Sequence, residues 1–272
     1  MKRLLILICL LVYGGLWWQF KNEIHWTDRY LSPAMPAPAL KVASGYGQHM
    51  AGFSLFVKTA IFTGGNNLTG LDEPTYAGNL AQNYDVAAQL YPKFIDTYFF
   101  AQSFLPHISK EYAAATNNIL ERGVAARPDY LFFPFFQAFN YLKYLDDPIK
   151  AADIFEKLSQ MPDAPNWFAS LSSKLRARGG QLAAGRDMLV VLYENEEYEG
   201  VKARYAKEIE NFDKALMVQR ALDLYRQEHG EEAPSLKDLI PDYLAALPDL
   251  HLGYVLQWEA PTLKLIYPEP GQ

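Results

Sequence analysis

The residues of this chain best suited to molecular recognition are the aromatic ones between positions 130 and 145. That stretch reads Tyr-Leu-Phe-Phe-Pro-Phe-Phe-Gln-Ala-Phe-Asn-Tyr-Leu-Lys-Tyr-Leu. Large apolar side chains surround the predicted helix, and a helix that is apolar on all sides is typically buried on all sides. Aromatic anchors with a few neighbouring charges are also typical of protein-binding hot spots. The stretch therefore indicates either a central core helix or a helix that lines a binding groove.

Catalytic chemistry has little support in the sequence. It contains no Gly-x-Ser-x-Gly, His-Glu-x-x-His, phosphate-binding Gly-Lys-Ser/Thr or dinucleotide-binding glycine pattern. The acidic run of Glu194, Glu196, Glu197 and Glu199 suits either a cation or a solvated loop, and the loop is the simpler interpretation. We therefore predict no enzyme activity, no metal site and no cofactor. An envelope enzyme that acts on glycans through two carboxylates is the least favoured alternative.

The N-terminus predicts a membrane anchor. Lys2 and Arg3 precede an apolar run from Leu4 to Trp18, which is at the short end of what a membrane-spanning helix needs. Cations on the N-terminal side and tryptophans at the other end favour a single span with the remaining chain in the periplasm, outside the inner membrane. A cleaved signal peptide is the alternative, but no small-x-small cleavage site closely follows the run.

Composition is that of a globular exported domain. The formal net charge is −6 and no Lys/Arg cluster follows Arg3, which argues against nucleic-acid binding. Cys9 is the only cysteine and lies in the apolar run, so the exported part has no disulfide. The absence of cysteine after Cys9 suits an oxidising compartment such as a bacterial periplasm.

The chain divides into four predicted segments. They are an anchor (1–20), a Pro-rich linker (21–40), a helical domain (41–228) and a small C-terminal helix with a β-hairpin (229–272). Three prolines within residues 33–38 predict an extended spacer. Gly230 is placed to end the last long helix, and residues 254–258 and 263–267 predict the hairpin strands.

Prolines recur through the helical part. Pro92, Pro128 and Pro165 are 36 and 37 residues apart, a period typical of stacked helical hairpins. Two groups of residues repeat a small–large–small pattern followed by proline: Leu80, Tyr84, Ala87, Pro92; and Thr116, Leu120, Gly123, Pro128. A third, looser copy is Ala151, Phe155, Leu158, with Pro162 one residue early. Over about residues 76–195 the chain resembles the tetratricopeptide-repeat (TPR) family, although Leu80 replaces a small residue and Pro134 stands where a tryptophan is expected.

That resemblance implies an α-solenoid whose first helices line a concave surface. The residues implied to face the partner are Phe132, Phe135, Phe139 and Lys143, with Asp96 and Phe99 as their counterparts one repeat earlier. Such a groove suits a partner helix or an extended peptide.

A second resemblance lies near the C-terminus. Residues 217–254 contain a helix, Gly230, a Pro-Ser-Leu-Lys-Asp-Leu-Ile segment, Leu247-Pro248 and Gly253-Tyr254. They are similar to the C-terminal part of type II secretion pseudopilins, without the Asp-Pro expected after Pro248. Taken together, the sequence predicts a mainly α, membrane-anchored scaffold for protein–protein interactions in the bacterial envelope, such as in a secretion or pilus assembly. A subunit of a membrane complex without a groove is the alternative.

Overall fold

The protein is mainly helical, with a small antiparallel sheet at its C-terminus. The computed structural model describes residues 31–64, 73–162, 164–165 and 167–267, together with Gly14. The predicted fold class is confirmed to this extent. The predicted membrane anchor lies outside the described residues, apart from Gly14. Among the described helices, none is both long and apolar enough to cross a bilayer.

Ten helices precede the sheet in the described part of the chain. Their bounds are α1 Ala37–Ser44, α2 Gln48–Gly64, α3 Glu73–Leu90, α4 Ile95–Phe104, α5 Lys110–Ala126, α6 Phe132–Lys143, α7 Pro148–Ser159, α8 Trp167–Arg178, α9 Leu182–Asn195 and α10 Glu199–His229. Short 3₁₀ turns at Gly45–Gly47 and Leu236–Leu239 complete the helical elements, and strands β1 Val255–Glu259 and β2 Thr262–Ile266 follow.

Local sequence explains where several helices begin and end. The Ser109 side chain accepts a hydrogen bond from the Tyr112 amide at the start of α5. Asp147 does the same for the Lys150 amide of α7, whose first residue, Pro148, needs no backbone donor. Gly230 ends α10 with a left-handed backbone (φ 75°), which confirms the prediction for that residue.

From α2 to α10, each helix packs against the next one in the sequence, and α3 also packs against α5. The interior positions are those of the repeating triplets, and all of them are buried: Leu80, Tyr84, Ala87, Thr116, Leu120, Gly123, Ala151, Phe155 and Leu158. Pro92, Pro128 and Pro165 lie in the turns that precede α4, α6 and α8. The pairs α4/α5, α6/α7 and α8/α9 are therefore three successive helical hairpins.

The segment before α1 differs from a free spacer. Residues 31–36 are extended, as predicted, but helix α1 begins at Ala37, with Pro38 in its first turn, where proline is tolerated. The prediction of an extended chain is therefore wrong for residues 37–40. The extended part is also fixed to α3, because Asn79, Gln82 and Asn83 donate side-chain hydrogen bonds to carbonyls of residues 31, 34 and 32.

The C-terminal segment covers one side of α10. Ser235 accepts a hydrogen bond from the Lys237 amide at the start of the second 3₁₀ turn. Strands β1 and β2 pair with Glu259 opposite Thr262, which leaves Ala260 and Pro261 as the turn and confirms the predicted hairpin. The buried residues Leu239, Tyr254 and Leu265 belong to the same core as Phe212 of α10.

Candidate partner-binding surface

The six residues predicted to face a partner lie on the first helices of two successive hairpins. Asp96 and Phe99 are on α4, and Phe132, Phe135, Phe139 and Lys143 are on α6. Asp96, Phe132, Phe139 and Lys143 are exposed, whereas Phe99 and Phe135 are partly buried.

Aromatic rings connect α4 to α6 at the surface. The Phe99 ring centroid lies 5.2 Å from that of Phe136, edge to face, and 6.4 Å from that of Phe132. Phe132 and Phe136 are 6.3 Å apart, and 46% of Phe132 is exposed. Edge-to-face contacts in this distance range stabilise aromatic pairs beyond the apolar area that they bury. The three rings therefore form a fixed group, one member of which is open to solvent.

Phe135 shares a helical face with Phe132 and Phe139, but its ring is covered by the next hairpin. It lies 6.3 Å from Trp167 and 6.2 Å from Phe168 of α8. Trp167, in contrast, is 51% exposed, and Phe139 is 41% exposed. Phe135 therefore packs between the aromatic residues of α6 and those of α8 and is not open to solvent on its own.

These residues make one surface that runs over the first helices α4, α6 and α8. We refer to it as the aromatic surface. Its members are Phe99, Phe132, Phe135, Phe136, Phe139 and Trp167. An exposed apolar patch on a soluble domain is commonly an interaction site, and tryptophan is among the residues most enriched in binding hot spots.

A buried amide network holds α4, α5 and α6 together beneath that surface. Asn140 on α6, which has no exposed area, donates to Gln102 Oε1 (2.8 Å) on α4 and to Asn117 Oδ1 (2.9 Å) on α5. Gln137 adds hydrogen bonds to the Asn117 carbonyl (3.0 Å) and to Glu121 (2.9 Å). Buried amides tolerate few alternative arrangements, because shifting one helix leaves donors unsatisfied. The network therefore fixes the relative positions of the helices that carry the aromatic surface.

Helix α5 packs closely on α4 and α6 because residue 123 is glycine, which has no side chain. A Cβ atom at Gly123 would lie 2.8 Å from Phe133 Cδ2 and 3.0 Å from Tyr98 Cε1.

The Tyr98 hydroxyl donates to the Pro92 carbonyl (2.7 Å), and burial raises the pKa of Tyr98 to about 12. The phenol therefore remains a neutral donor near neutral pH and ties α4 to the turn that precedes it.

Two further concave regions are lined partly by charged residues, unlike the aromatic surface. One, of about 560 Å³, lies between α7, α8 and α9, with Arg176 at its edge in ion pairs with Asp153 and Glu156. The other, of about 430 Å³, lies between the hairpin and the α6–α7 turn. Its carboxylates include Asp147, which caps α7, and Glu259, which pairs with Lys264. Asp147 and Glu259 therefore both have partners within the fold.

The acidic run lies at the turn between α9 and α10. Glu194, Glu197 and Glu199 are exposed, and Glu196 accepts a hydrogen bond from the Tyr198 amide (3.0 Å). Within the part of the chain that the structure describes, no group of three or more His, Cys, Asp or Glu residues is arranged to hold a metal ion.

Sequence reasoning missed Phe136, Trp167 and the amide network. Trp167 follows the turn proline Pro165 and opens α8, as Phe132 opens α6 after Pro128. An aromatic residue that begins a helix within four residues of a turn proline is the signal by which Trp167 could have been found. Phe136 has no comparable signal, since adjacent phenylalanines make the two faces of α6 indistinguishable by pattern.

Comparison with known proteins gives no further guide to the site. No family model, no curated protein and no solved structure matches this chain significantly.

Proposed function

We propose that this protein is a membrane-anchored scaffold of TPR-like helical hairpins that binds a protein partner on its aromatic surface. The partner is an amphipathic helix or an extended peptide, and the setting is the periplasmic side of a bacterial inner membrane. The C-terminal similarity to pseudopilins makes a secretion or pilus assembly the first system to test.

The packing of the hairpins supports the repeat part of this proposal. The triplet residues fill the interior between paired helices, and the contacts around Gly123 require a small residue where the TPR pattern has one. Prolines lie in the turns between successive hairpins. Each of these features follows from the physics of stacked hairpins, in which small residues permit close approach and proline ends a helix.

The single observation that carries the binding proposal is the row of aromatic side chains on α4, α6 and α8. Phe132, Phe139 and Trp167 remain 41–51% exposed although Phe132 and Trp167 each contact several other rings and Phe139 packs on Tyr144. A preorganised aromatic surface loses little conformational entropy when a partner binds. Asp96 and Lys143, also exposed on these helices, provide one charge of each sign for orienting that partner.

The anchor is inferred from sequence. Lys2 and Arg3 before Leu4–Trp18 favour a cytoplasmic N-terminus, and the body has neither a disulfide nor a nucleic-acid-binding charge pattern. A tethered scaffold meets partners at a high effective concentration on the same membrane, so modest affinity suffices.

Site-specific photocrosslinking in native membranes tests the binding proposal. A benzophenone side chain is introduced separately at Phe132, Phe139 and Trp167, with matched probes at Val191 and Tyr198, which are exposed outside the aromatic surface. We expect the three surface probes to capture one common protein that the two control probes do not capture.

A Phe132→Ala/Trp167→Ala variant should then lose the crosslink formed from position 139 while keeping its thermal unfolding midpoint within a few degrees. Identical products from surface and control probes would contradict the binding surface. Products only from positions 191 and 198 would favour the alternative, a subunit that packs into a complex without using this surface.

A further inference from the structure

Helix α2 is apolar on two opposite faces. One face contains Gly52, Phe56, Thr59, Phe62 and Thr63, and all of them are buried. The other carries Met50, Phe53, Val57 and Ile61, whose spacings of three, four and four place them in one stripe. A helix that is apolar all round is normally covered all round. In the described structure, only the first face of α2 is fully covered.

The second face of α2 is largely open. Met50 is 69% exposed, Ile61 is 62% exposed and Phe53 is 41% exposed, while Val57 is partly buried. The helix at the end of a stacked array normally presents a polar outer face. At the opposite end, the exposed residues of α10 are mostly polar, as at Lys207 and Glu210, although Met217 and Leu224 are exposed as well. The apolar stripe at the N-terminal end therefore indicates a surface that meets something other than water.

Neighbouring residues extend this apolar character. Tyr46 is fully exposed on the turn between Gly45 and Gly47, and Val42 of α1 is 86% exposed. Tyrosine is enriched where a protein meets the headgroup region of a bilayer, because its ring prefers the apolar side and its hydroxyl the wet side.

Charge distinguishes this end from the rest of the molecule. Residues 31–71 contain no aspartate or glutamate, although the whole chain has a net charge of −6. Lys41 is exposed, and Lys58 donates to the Ser32 side chain and carbonyl. An acid-free surface with scattered cations suits a bilayer that contains anionic phospholipids, whose headgroups repel carboxylates and attract lysine. A protein partner imposes no such exclusion of acidic residues.

The position of α1 and α2 in the chain, soon after the predicted membrane run, also favours contact with the bilayer. Only residues 19–30 separate the predicted membrane run, which ends at Trp18, from the segment that is hydrogen-bonded to α3. Twelve extended residues reach about 40 Å at most, so α1 and α2 stay near the bilayer into which the run would insert.

We infer that α2, together with α1 and the Gly45–Gly47 turn, docks on the bilayer surface through the stripe of Met50, Phe53, Val57 and Ile61. This inference rests on the proposed anchor and adds an orientation to it. The first helices lie against the lipid, and the hairpins α4–α9 extend from them. Such interfacial contact requires an apolar helical face that enters the headgroup boundary, which α2 provides.

Lipid-dependent quenching in proteoliposomes tests the orientation. The full-length chain carries Cys9→Ala and one new cysteine, Met50→Cys or Ile61→Cys, labelled with an environment-sensitive fluorophore. Val191→Cys and Tyr198→Cys are the controls, because both positions are exposed far along the chain. Vesicles of phosphatidylcholine and phosphatidylglycerol contain a nitroxide lipid that quenches only fluorophores within the bilayer. We expect a blue shift and strong quenching at positions 50 and 61, and neither at 191 nor 198.

Three other outcomes overturn the inference in different ways. If the protein floats with the vesicles but positions 50 and 61 report water, the anchor stands and the docking is wrong. If they report an apolar environment without lipid quenching, a protein segment or a second copy covers the stripe instead. If the protein does not float at all, the proposed anchor and the docking that rests on it both fail.

Discussion

Gln102 on α4 and Asn140 on α6 exchange two hydrogen bonds, each 2.8 Å long. The pair joins the first helices of two successive hairpins, directly beneath the ring contact between Phe99 and the residues of α6. Because Asn140 also donates to Asn117 on α5, one buried side chain fixes three helices. The aromatic surface consequently depends on polar residues that no apolar pattern reveals.

Asn140→Ala should destabilise the protein by about 2 kcal/mol, because it removes the hydrogen-bond partner of the Gln102 amide group and of Asn117 Oδ1. Asn118→Ala, an exposed position on α5, is the matched control and should change the free energy of unfolding by less than about 0.5 kcal/mol. Urea unfolding followed by circular dichroism measures both. Equal effects of the two substitutions would show that the network contributes no stability.

Gly123→Ala should also be destabilising, by about 1–3 kcal/mol, because the new methyl group overlaps Phe133 and Tyr98. Gly78→Ala is the control on α3. There the nearest atom to a new Cβ, the Tyr112 hydroxyl, is at 3.6 Å, and removing a helical glycine should stabilise by about 0.5–1 kcal/mol. The sign of the two changes in thermal midpoint distinguishes close packing from helix propensity. A stabilised Gly123→Ala variant would refute the packing argument.

The repeat pattern could be predicted because it reflects local requirements. Leu120 and Gly123 must be interior whenever two helices pack closely, and Pro128 must lie in a turn. Such constraints act within one hairpin and leave a visible spacing. The hairpin at β1 and β2 was equally visible, since alternation and a Pro-containing turn are local features.

Contacts between distant segments could not be predicted in the same way. The extended residues before α1 contain prolines, which indicated an extended spacer, but the donors that hold them, Asn79 and Asn83, lie about 50 residues later on α3. Likewise, Phe135 follows the predicted stripe, and the positions of Trp167 and Phe168 on α8 decide that its ring is covered. Pairings of this kind depend on the tertiary arrangement, which a single sequence does not specify.

The free energy of unfolding should fall between about pH 10 and pH 12. Burial raises the pKa of Tyr98 to about 12 from its ordinary value of 10, so the unfolded chain loses this proton first. Stability is therefore complete below pH 10 and decreases as pH rises towards the folded pKa. Tyr84 and Tyr254, whose pKa values burial also raises, act in the same direction. Tyr98→Phe should reduce the slope of unfolding free energy against pH. An unchanged slope in Tyr98→Phe would contradict the assignment.

A buried ion pair connects α8 to α10. The Glu208 carboxylate has no exposed area, and its Oε1 lies 3.3 Å from the Lys174 ammonium group and 3.6 Å from Arg204 Nε. The Lys174 ammonium group also lies 4.2 Å from the ring centroid of Tyr267, just after β2, so the lysine contacts the C-terminal segment as well. Lys174 is therefore one of the contacts between the last hairpin and the C-terminal segment.

Replacing Lys174 alone should lower the free energy of unfolding substantially. Lys174→Met leaves a buried carboxylate with one weaker partner and should destabilise by about 3 kcal/mol, whereas Lys207→Met on the exposed face of α10 should have little effect. Adding Glu208→Leu to Lys174→Met removes the uncompensated charge, so the double variant should regain most of the loss. Chemical unfolding of the wild type, Lys174→Met, Glu208→Leu and the double variant completes a double-mutant cycle, which measures the coupling energy between Lys174 and Glu208. Additive effects would show that Lys174 acts through its contact with Tyr267 rather than through Glu208.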